Sequence, residues 1–319
     1  MSDEAAMGLS EKAEPPVKQP AEAKRAPALE SPAMRIAREF CEDRLAVLGL
    51  VLFLAIAAIA ILAPWITPQN PYDLAQLDIM DGGLPPGSES FATGGTYWLG
   101  TDEQGRDMLS AIAYGLRISL LVATVSLAFA IAIGVAAGTT AAYLGGKVDT
   151  LIMRVVDLQL SFPSILIALI LLALFGRGID KVIIALIIVQ WAYYARTVRS
   201  SAIVETRKDY IDAARCLALS HRRIMFRHLL PNCVPPLIVV GTVQIAQAIA
   251  LEATLSFLGV GVPITEPSLG LLIANGYDYL LSGRYWVSIF PGIALVATII
   301  AINLVGDRLR DVLNPRLQT

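Results

Sequence analysis

"DYIDAARCLALSHRRIMFRHLLPN", residues 209–232, holds Arg215, Arg222, Arg223, Arg227 and both histidines of the chain between two almost wholly apolar blocks. Asp209 stands where an N-cap is needed, and Asp212 at the third helical position makes an acidic form of the capping box. Tyr210, Ala213, Ala214 and Leu217 then follow the i, i+3, i+4, i+7 spacing of one helical face. The two alanines keep that face nearly flat, so another surface can approach the backbone closely. Ser220 is placed to cap a second short helix, with Ile224, Met225, His228 and Leu229 along one side and Arg222, Arg223 and Arg227 along another. Pro231 ends it. Two uses fit such a helix–turn–helix. Arginine-bearing amphipathic helices lie on anionic headgroups; small contact residues rimmed by arginines also suit a protein partner.

The surroundings decide what kind of protein carries this island. The 319 residues are 55% hydrophobic and 16% charged, with a mean hydropathy of +0.62. Soluble domains carry about 25% charged residues, so the chain reads as an all-α integral membrane protein. A crossing needs about 20 apolar residues. Six stretches qualify: Leu45–Ala63, Ile118–Ala142, Thr150–Phe175, the shorter Lys181–Ala195, Val234–Phe257 and Val287–Val305. Pro64-Trp65 stops the first, Gly176-Arg177-Gly178 turns the third into the fourth, and Pro235-Pro236 opens the fifth at a tolerated position.

An even number of spans puts both termini on one side, and charge says which. The tail, the segment at Lys147 and Arg154, the stretch Arg196–Arg227 and the C-terminus from Arg308 hold 7, 2, 8 and 3 basic residues. The opposite side holds 5: Arg106, Arg117, Arg177, Lys181 and Arg284. Basic residues collect on the cytoplasmic side, which places both termini and the island in the cytoplasm. The domains expected are a disordered cytoplasmic tail at 1–40, a first span at 41–66, an outer segment at 67–110, and a core at 111–308. That core holds five spans and a cytosolic loop at 199–231, and a cytoplasmic tail follows at 309–319.

Several function classes drop out. A net charge of -2 excludes a generally basic nucleic-acid binder. Cys41, Cys216 and Cys233 show no metal-binding or disulfide spacing, and with two histidines, both in the island, no catalytic or metal constellation forms. Gly145-Gly146-Lys147-Val148 fails as a P-loop, because Val148 is neither Ser nor Thr and Ala141 stands where the first glycine belongs. No ATP site is expected in this chain. A stand-alone channel or secondary carrier stays in competition, though no internal repeat of the kind common in carriers is evident.

The stretch from Asp212 to Asn232 resembles the EAA loop of the membrane subunits of binding-protein-dependent ABC importers, a Glu-Ala-Ala followed by a Gly and then a Leu-Pro. The pattern falls on Asp212, Ala213, Ala214, Ala218, Leu229, Leu230 and Pro231. Asp212 replaces the usual Glu and keeps a carboxylate. Ala218 replaces the usual Gly, where a Cβ disfavours left-handed backbone, so a right-handed turn or modest strain is expected. "LGTDEQGRDMLSAIAYGLRISL" from Leu99, "MRVVDLQLSFPS" from Met153, "ALEATLSFLGVGV" from Ala250 and "NLVGDRLRDVLNPRL" from Asn303 resemble the dipeptide/oligopeptide/nickel permeases, in particular the second, C-type subunit.

The resemblance implies a type I importer permease fold with six transmembrane helices in the bacterial inner membrane. It implies a homologous permease as heterodimer partner, a periplasmic substrate-binding protein, and two cytosolic ATPases that bind the ATP and Mg. Tyr210, Asp212, Ala213, Ala214, Arg215, Leu217, Ala218, Arg222 and Arg223 would couple to an ATPase. Di- or oligopeptides are the implied substrate, with nickel, glutathione or another small solute as the alternative.

Polar groups inside a membrane mark pathways or helix contacts. Gln190, Gln244, Gln247 and Glu252 are the candidates for pathway or gate, although for Glu252 a structural hydrogen bond is the stronger expectation. Arg154 and Asp157, at i and i+3, are expected to pair. In the acidic outer segment, Gly100, Thr101, Asp102, Gly105, Arg106 and Asp107 form a compact motif in which Asp102 can cap a helix. A folded cap is favoured there over a plain loop.

Overall fold

The computed structural model describes residues 32–91, 94–263 and 265–313. Residues 1–31 of the expected tail and residues 314–319 lie outside that description.

Five helices are long and apolar enough to cross a membrane among the described residues. They are α2 (Arg44–Ile66), α3 (Met108–Leu144), α6 (Ile179–Glu205), α9 (Val234–Phe257) and α11 (Trp286–Leu313). The third expected span is different. It is two helices, α4 (Gly146–Leu160) and α5 (Ser164–Phe175), set at 90° across Ser161-Phe162-Pro163. Pro163 supplies the reason, since it has no N–H to continue α4 and fits the N-terminus of a new helix.

The helices also run past the edges of their apolar stretches. The second span begins ten residues early at Met108, where Asp107 Oδ2 accepts from the Ser110 amide at 2.9 Å and the Ser110 hydroxyl at 2.6 Å. Pro64 does not stop α2, which continues to Ile66. The tail read as disordered to residue 40 carries a helix, α1 (Pro32–Cys41), and Arg308 near the end of α11 donates to the Glu39 carbonyl. The expected C-terminal tail is likewise helical to Leu313.

α3 and α6 form the closest pair. A Cβ at Gly134 would lie 2.6 Å from the Trp191 carbonyl oxygen, and one at Gly138 would lie 2.4 Å from that of Ala195. Small residues let membrane helices meet backbone to backbone. The main core follows from this contact. Ile118, Val122, Leu172, Leu186, Ile249 and Leu255 meet where α3, α5, α6 and α9 converge.

α4 is fixed to α6 by charge. Arg199 grips Asp149 through two bonds of 2.5 and 2.6 Å, and Arg196 reaches Asp157 at 2.5 Å. The expected Arg154–Asp157 pair is not the one formed. A break that swings α4 away from α5 offers Asp157 a partner on α6 instead.

Candidate functional site

Residues 209–233 form a small folded unit at the end of α6. α7 (Asp209–Cys216) is followed by one short turn of helix, α8 (His221–Arg223), a π-helical turn at Ile224–Leu229 and a 3-10 turn at Leu230–Cys233. The wide π turn brings Ile224 and Leu229, five residues apart, into one core with Ile211, Ala214, Cys233 and Ala202 of α6. Pro231 has no N–H for the carbonyls one turn back, and the Asn232 side chain takes part of that role, donating to the His228 carbonyl at 2.7 Å.

The capping differs from the sequence expectation. Asp209 is the first residue of α7 rather than its cap; Lys208 occupies the cap but makes no capping bond to the helix, its ammonium bonding Glu205 at 2.7 Å. Asp212 bonds Arg215 at 2.9 Å instead of closing a capping box. Both carboxylates still sit in the first turn, where the helix dipole favours them. Ser220 occupies the second cap position, but its hydroxyl makes no cap bond.

The flat face is also divided. Ala214 is buried in the unit's own core, while Tyr210, Ala213 and Leu217 point outward, Leu217 at 74% exposure. Tyr210 serves as a clasp as well. Its hydroxyl donates to Glu205 at 2.7 Å and accepts from Asn232 at 3.1 Å, tying the end of α6 to the 3-10 turn that leads into α9. Burial, with the Glu205 bond added, pushes its hydroxyl pKa up to about 12. Arg222, Arg223 and Arg227 are exposed, and Arg215 stands 6.0 Å over the Tyr143 ring of α3.

Ala218 keeps left-handed backbone, with φ of 52°. Of the two outcomes expected, this is strain, and the surrounding bonds explain why it persists. The Leu219 amide reaches the Ala214 carbonyl at 3.2 Å and the Ala218 amide reaches that of Arg215 at 2.9 Å. These are the two bonds of a Schellman cap. Leu219 completes it by packing on the Ala214 core.

On the membrane-spanning part, α5, α6 and α9, with Arg310 of α11, line an open cleft of about 640 Å³. Gln190, Gln244 and Gln247 all line it, together with Ser164, Tyr193 and Thr254. Gln190 Nε2 donates to the Gln244 carbonyl at 3.0 Å, so the two helices are pinned beside the cleft. Glu252 is not part of this group. It faces α3, accepting from Ser119 at 2.8 Å and from Ser256 at 2.9 Å.

The segment 67–107 folds as a cap. A two-stranded hairpin pairs β1 (Ser88–Glu89) with β2 (Thr96–Tyr97) beside an isolated bridge between Thr101 and Asp107. Thr101 is its keystone: the hydroxyl donates to the Asp81 carbonyl at 2.5 Å and accepts from the Leu84 amide at 2.8 Å, while its carbonyl accepts from Trp286 at 3.0 Å. Asp102 caps no helix. It closes a tight turn by accepting from the Gln104 and Arg106 amides at 2.8 and 2.9 Å, and the helix begins after Asp107 instead. A Cβ at Gly105 would lie 2.1 Å from the Asp78 carbonyl, and one at Gly100 2.6 Å from that of Leu84. Arg106 is buried beside them.

Residues 130–319 match the family model of the binding-protein-dependent transport system inner membrane component. Residues 31–86 match the N-terminal transmembrane domain of oligopeptide transport permease C. The chain belongs to this permease family. Among its relatives, a putative peptide transport system permease protein of Brucella abortus is 42% identical over 288 residues, covering 90% of this chain and 93% of the relative. The dipeptide transport system permease protein of Escherichia coli is 39% identical over 293 residues, covering 92% and 96%. The di/tripeptide transport system permease protein of Pseudomonas aeruginosa is 36% identical over 290 residues, covering 90% and 93%. An inward-facing structure of the MetNI methionine ABC transporter shares the fold, with a TM-score of 0.54 and 21% identity over 65% of this chain and 98% of that one.

In this permease the sequence located three of the cleft's polar residues and missed the rest. Along α9, about 100° per residue puts Glu252 roughly 80° from Gln244 and 140° from Gln247, so helical period alone separates it from the glutamines. The same period picks out Thr254 beside Gln247, and Tyr193 one turn from Gln190. Ser164 had no such signal, because its place depends on the bend between α4 and α5.

Proposed function

We propose that this permease forms half of the translocation path of an ATP-driven importer that moves di- or oligopeptides. The observation that carries the reading is relatedness along about nine-tenths of the chain to permeases named for peptide transport. The cleft suits such a cargo. Gln247 and Tyr193 offer amide and hydroxyl groups that can pair with a peptide backbone, on walls that include Val189, Val239, Val240, Val243 and Leu251 and also hold Arg310.

In this reading the outward face of α7 and the flanking arginines seat in a cytosolic ATPase, which binds the ATP and Mg. A homologous permease closes the other half of the path, and a periplasmic binding protein delivers the peptide over the cap. Both termini are cytoplasmic, and the membrane is the bacterial inner membrane. The channel or carrier alternative gives no role to the outward face of α7.

The test is uptake of labelled di- and tripeptides by cells lacking the chain and by cells in which it is restored. Peptide uptake is expected to fall on deletion and return on restoration, with nickel and glutathione uptake unchanged. Peptide uptake that survives deletion, in cells without another peptide importer, would sink the reading.

A further inference from the structure

Past Thr254, the last cleft residue on α9, the same face of that helix runs on to a second pocket. At about 100° per residue, Val243, Gln247, Ala250, Thr254 and Phe257 fall within about 80° of one another. The first four line the cleft. Phe257, about 4.5 Å further along the helix, lines a pocket of about 470 Å³, a volume that suits a small ligand. Arg177, from the turn between α5 and α6, lines it too. So do Asn275 and Tyr277 of a short helix, α10 (Leu269–Tyr277), and Asp278, its C-cap residue. With both termini cytoplasmic, the α5–α6 turn and the end of α9 are on the outer side. The pocket is thus the outer mouth of the cleft.

The frame of this pocket is fixed. A Cβ at Gly270 would lie 2.1 Å from the Ala253 carbonyl oxygen, so α10 packs directly on the backbone of α9. The Gly178 amide donates to the Gly261 carbonyl at 3.3 Å, holding the α5–α6 turn against the bend after α9. Phe257 and Tyr277 meet edge to face at 6.3 Å. Its charges, by contrast, are unspent. Among the described residues, the side chains of Arg177, Asn275 and Asp278 make no hydrogen bond or ion pair. Asp180, the acidic residue beside Arg177 in sequence, is taken by Lys181. Asp278 stands at the C-terminal end of α10, where the helix dipole disfavours an anion, so the fold itself gains nothing from that carboxylate.

We propose that this pocket is an entry site for zwitterionic peptides, with Asp278 receiving the α-ammonium and Arg177 the C-terminal carboxylate. The proposal rests on the reading of the cleft as a peptide path. A di- or tripeptide spans about 7–11 Å when extended, and its two charged ends are the chemistry that all such peptides share. A guanidinium can hold a carboxylate through two parallel bonds. Phe257 and Tyr277 offer apolar surface to side chains without demanding any one of them. Selection is then by ends rather than by sequence, because blocking either end leaves one pocket charge without its partner. A peptide held there lies one helical turn from Thr254, at the start of the cleft.

The experiment uses the assembled permease–ATPase complex in nanodiscs, with the binding protein omitted so that it cannot filter the probes. Calorimetry measures the binding of trialanine, N-acetyl-trialanine and trialanine amide. Trialanine is expected to bind severalfold more tightly than either blocked form. Asp278→Asn should abolish only the preference over the acetylated peptide, and Arg177→Gln only the preference over the amide. Both side chains are exposed, so both variants should assemble. No binding of trialanine, equal binding of the three peptides, or variants that weaken all three alike would overturn the proposal. So would variants that keep the peptide preferences and lose only affinity for the binding protein, which would make the two charges a docking contact. ATP-dependent peptide import by the unsubstituted complex, with its binding protein in proteoliposomes, checks the underlying reading separately. Import without the pocket's preferences sinks the entry site alone.

Discussion

Tyr143 Oη stands 2.8 Å from His221 Nδ1, joining the last turn of α3 to the first residue of α8. The rings meet edge to face at 5.6 Å, and Arg215 covers the Tyr143 ring from α7. A tyrosine hydroxyl can donate or accept, so the link is available to either protonation state of His221. At the other end of α3 its N-cap residue, Asp107, donates its amide to Gln69 of the outer segment at 2.6 Å. One uninterrupted helix of 37 residues therefore connects the cap with the unit read as the ATPase contact.

If that helix carries motion from the unit to the membrane, Tyr143→Phe should weaken the transfer while keeping the ring contacts. The lost hydrogen bond contributes about 0.5–1.5 kcal/mol, toward the low end at an exposed site. Less peptide imported per ATP hydrolysed is the expected outcome in reconstituted importer. An unchanged ratio would assign the bond to local packing alone.

Ala218→Gly should stabilise the 209–219 unit. A Cβ in left-handed backbone costs about 1–2 kcal/mol. Glycine's greater freedom in the unfolded chain takes back part of that, leaving a gain of about 0.5–1 kcal/mol. Slower amide exchange at Leu219, whose bond closes the Schellman cap, is the readout. Ala218→Val should shift exchange the other way.

Ala213→Trp and Ala214→Trp should fail for different reasons. Ala213 is exposed, so its bulky variant should fold normally yet lose ATPase subunits on purification. Ala214 is 4% exposed within the unit's core, where overpacking costs about 1–3 kcal/mol or more, so its variant should lose thermal stability as well. Equal melting temperatures for the two would contradict the division of this face.

The cap should be acid-labile through Asp81. Burial alone would raise its pKa, but bonds from the Phe91 amide at 2.8 Å, the Ser90 hydroxyl at 2.7 Å and the Tyr97 hydroxyl at 2.9 Å outweigh it and hold the carboxyl below its ordinary value. A depressed folded pKa gives stability present above the unfolded value of about 3.9 and lost as pH falls through the folded one. Asp102 works in the opposite sense, because burial raises its pKa despite the Arg106 and Gln104 bonds. Its ionised form is the less favoured in the fold, so its contribution declines as pH rises from the unfolded value through the folded one. Asp81→Asn cannot accept all three bonds and should expose the hairpin 88–97 to protease at neutral pH, a digestion that Asp102→Asn should not reproduce.

The apolar runs at α2, α3, α6, α9 and α11 were legible because a bilayer demands long unbroken hydrophobic helices, a local property of composition. The island was legible for a similar reason: periodic small residues, arginines and a terminal proline mark a short helical unit wherever it sits. Asp107, Thr101 and the neighbouring glycines were singled out as a compact motif, but Asp81, the most heavily bonded carboxylate of the cap, was not. Its donors lie nine to sixteen residues away, on a hairpin with no apolar signature.

By itself the sequence determined a helical membrane protein, its candidate cytosolic unit and its family, since each is written in neighbouring residues. Only the tertiary structure decided that the third span is broken at Phe162, that Ala214 faces inward while Ala213 faces out, and that the partner of Glu252 is Ser119 of α3. It also decided that Ala218 holds left-handed backbone, because the Leu219 contact and two capping bonds outweigh the strain of its Cβ. Each of these depends on which surface a helix meets, and the meeting partner lies tens of residues away along the chain.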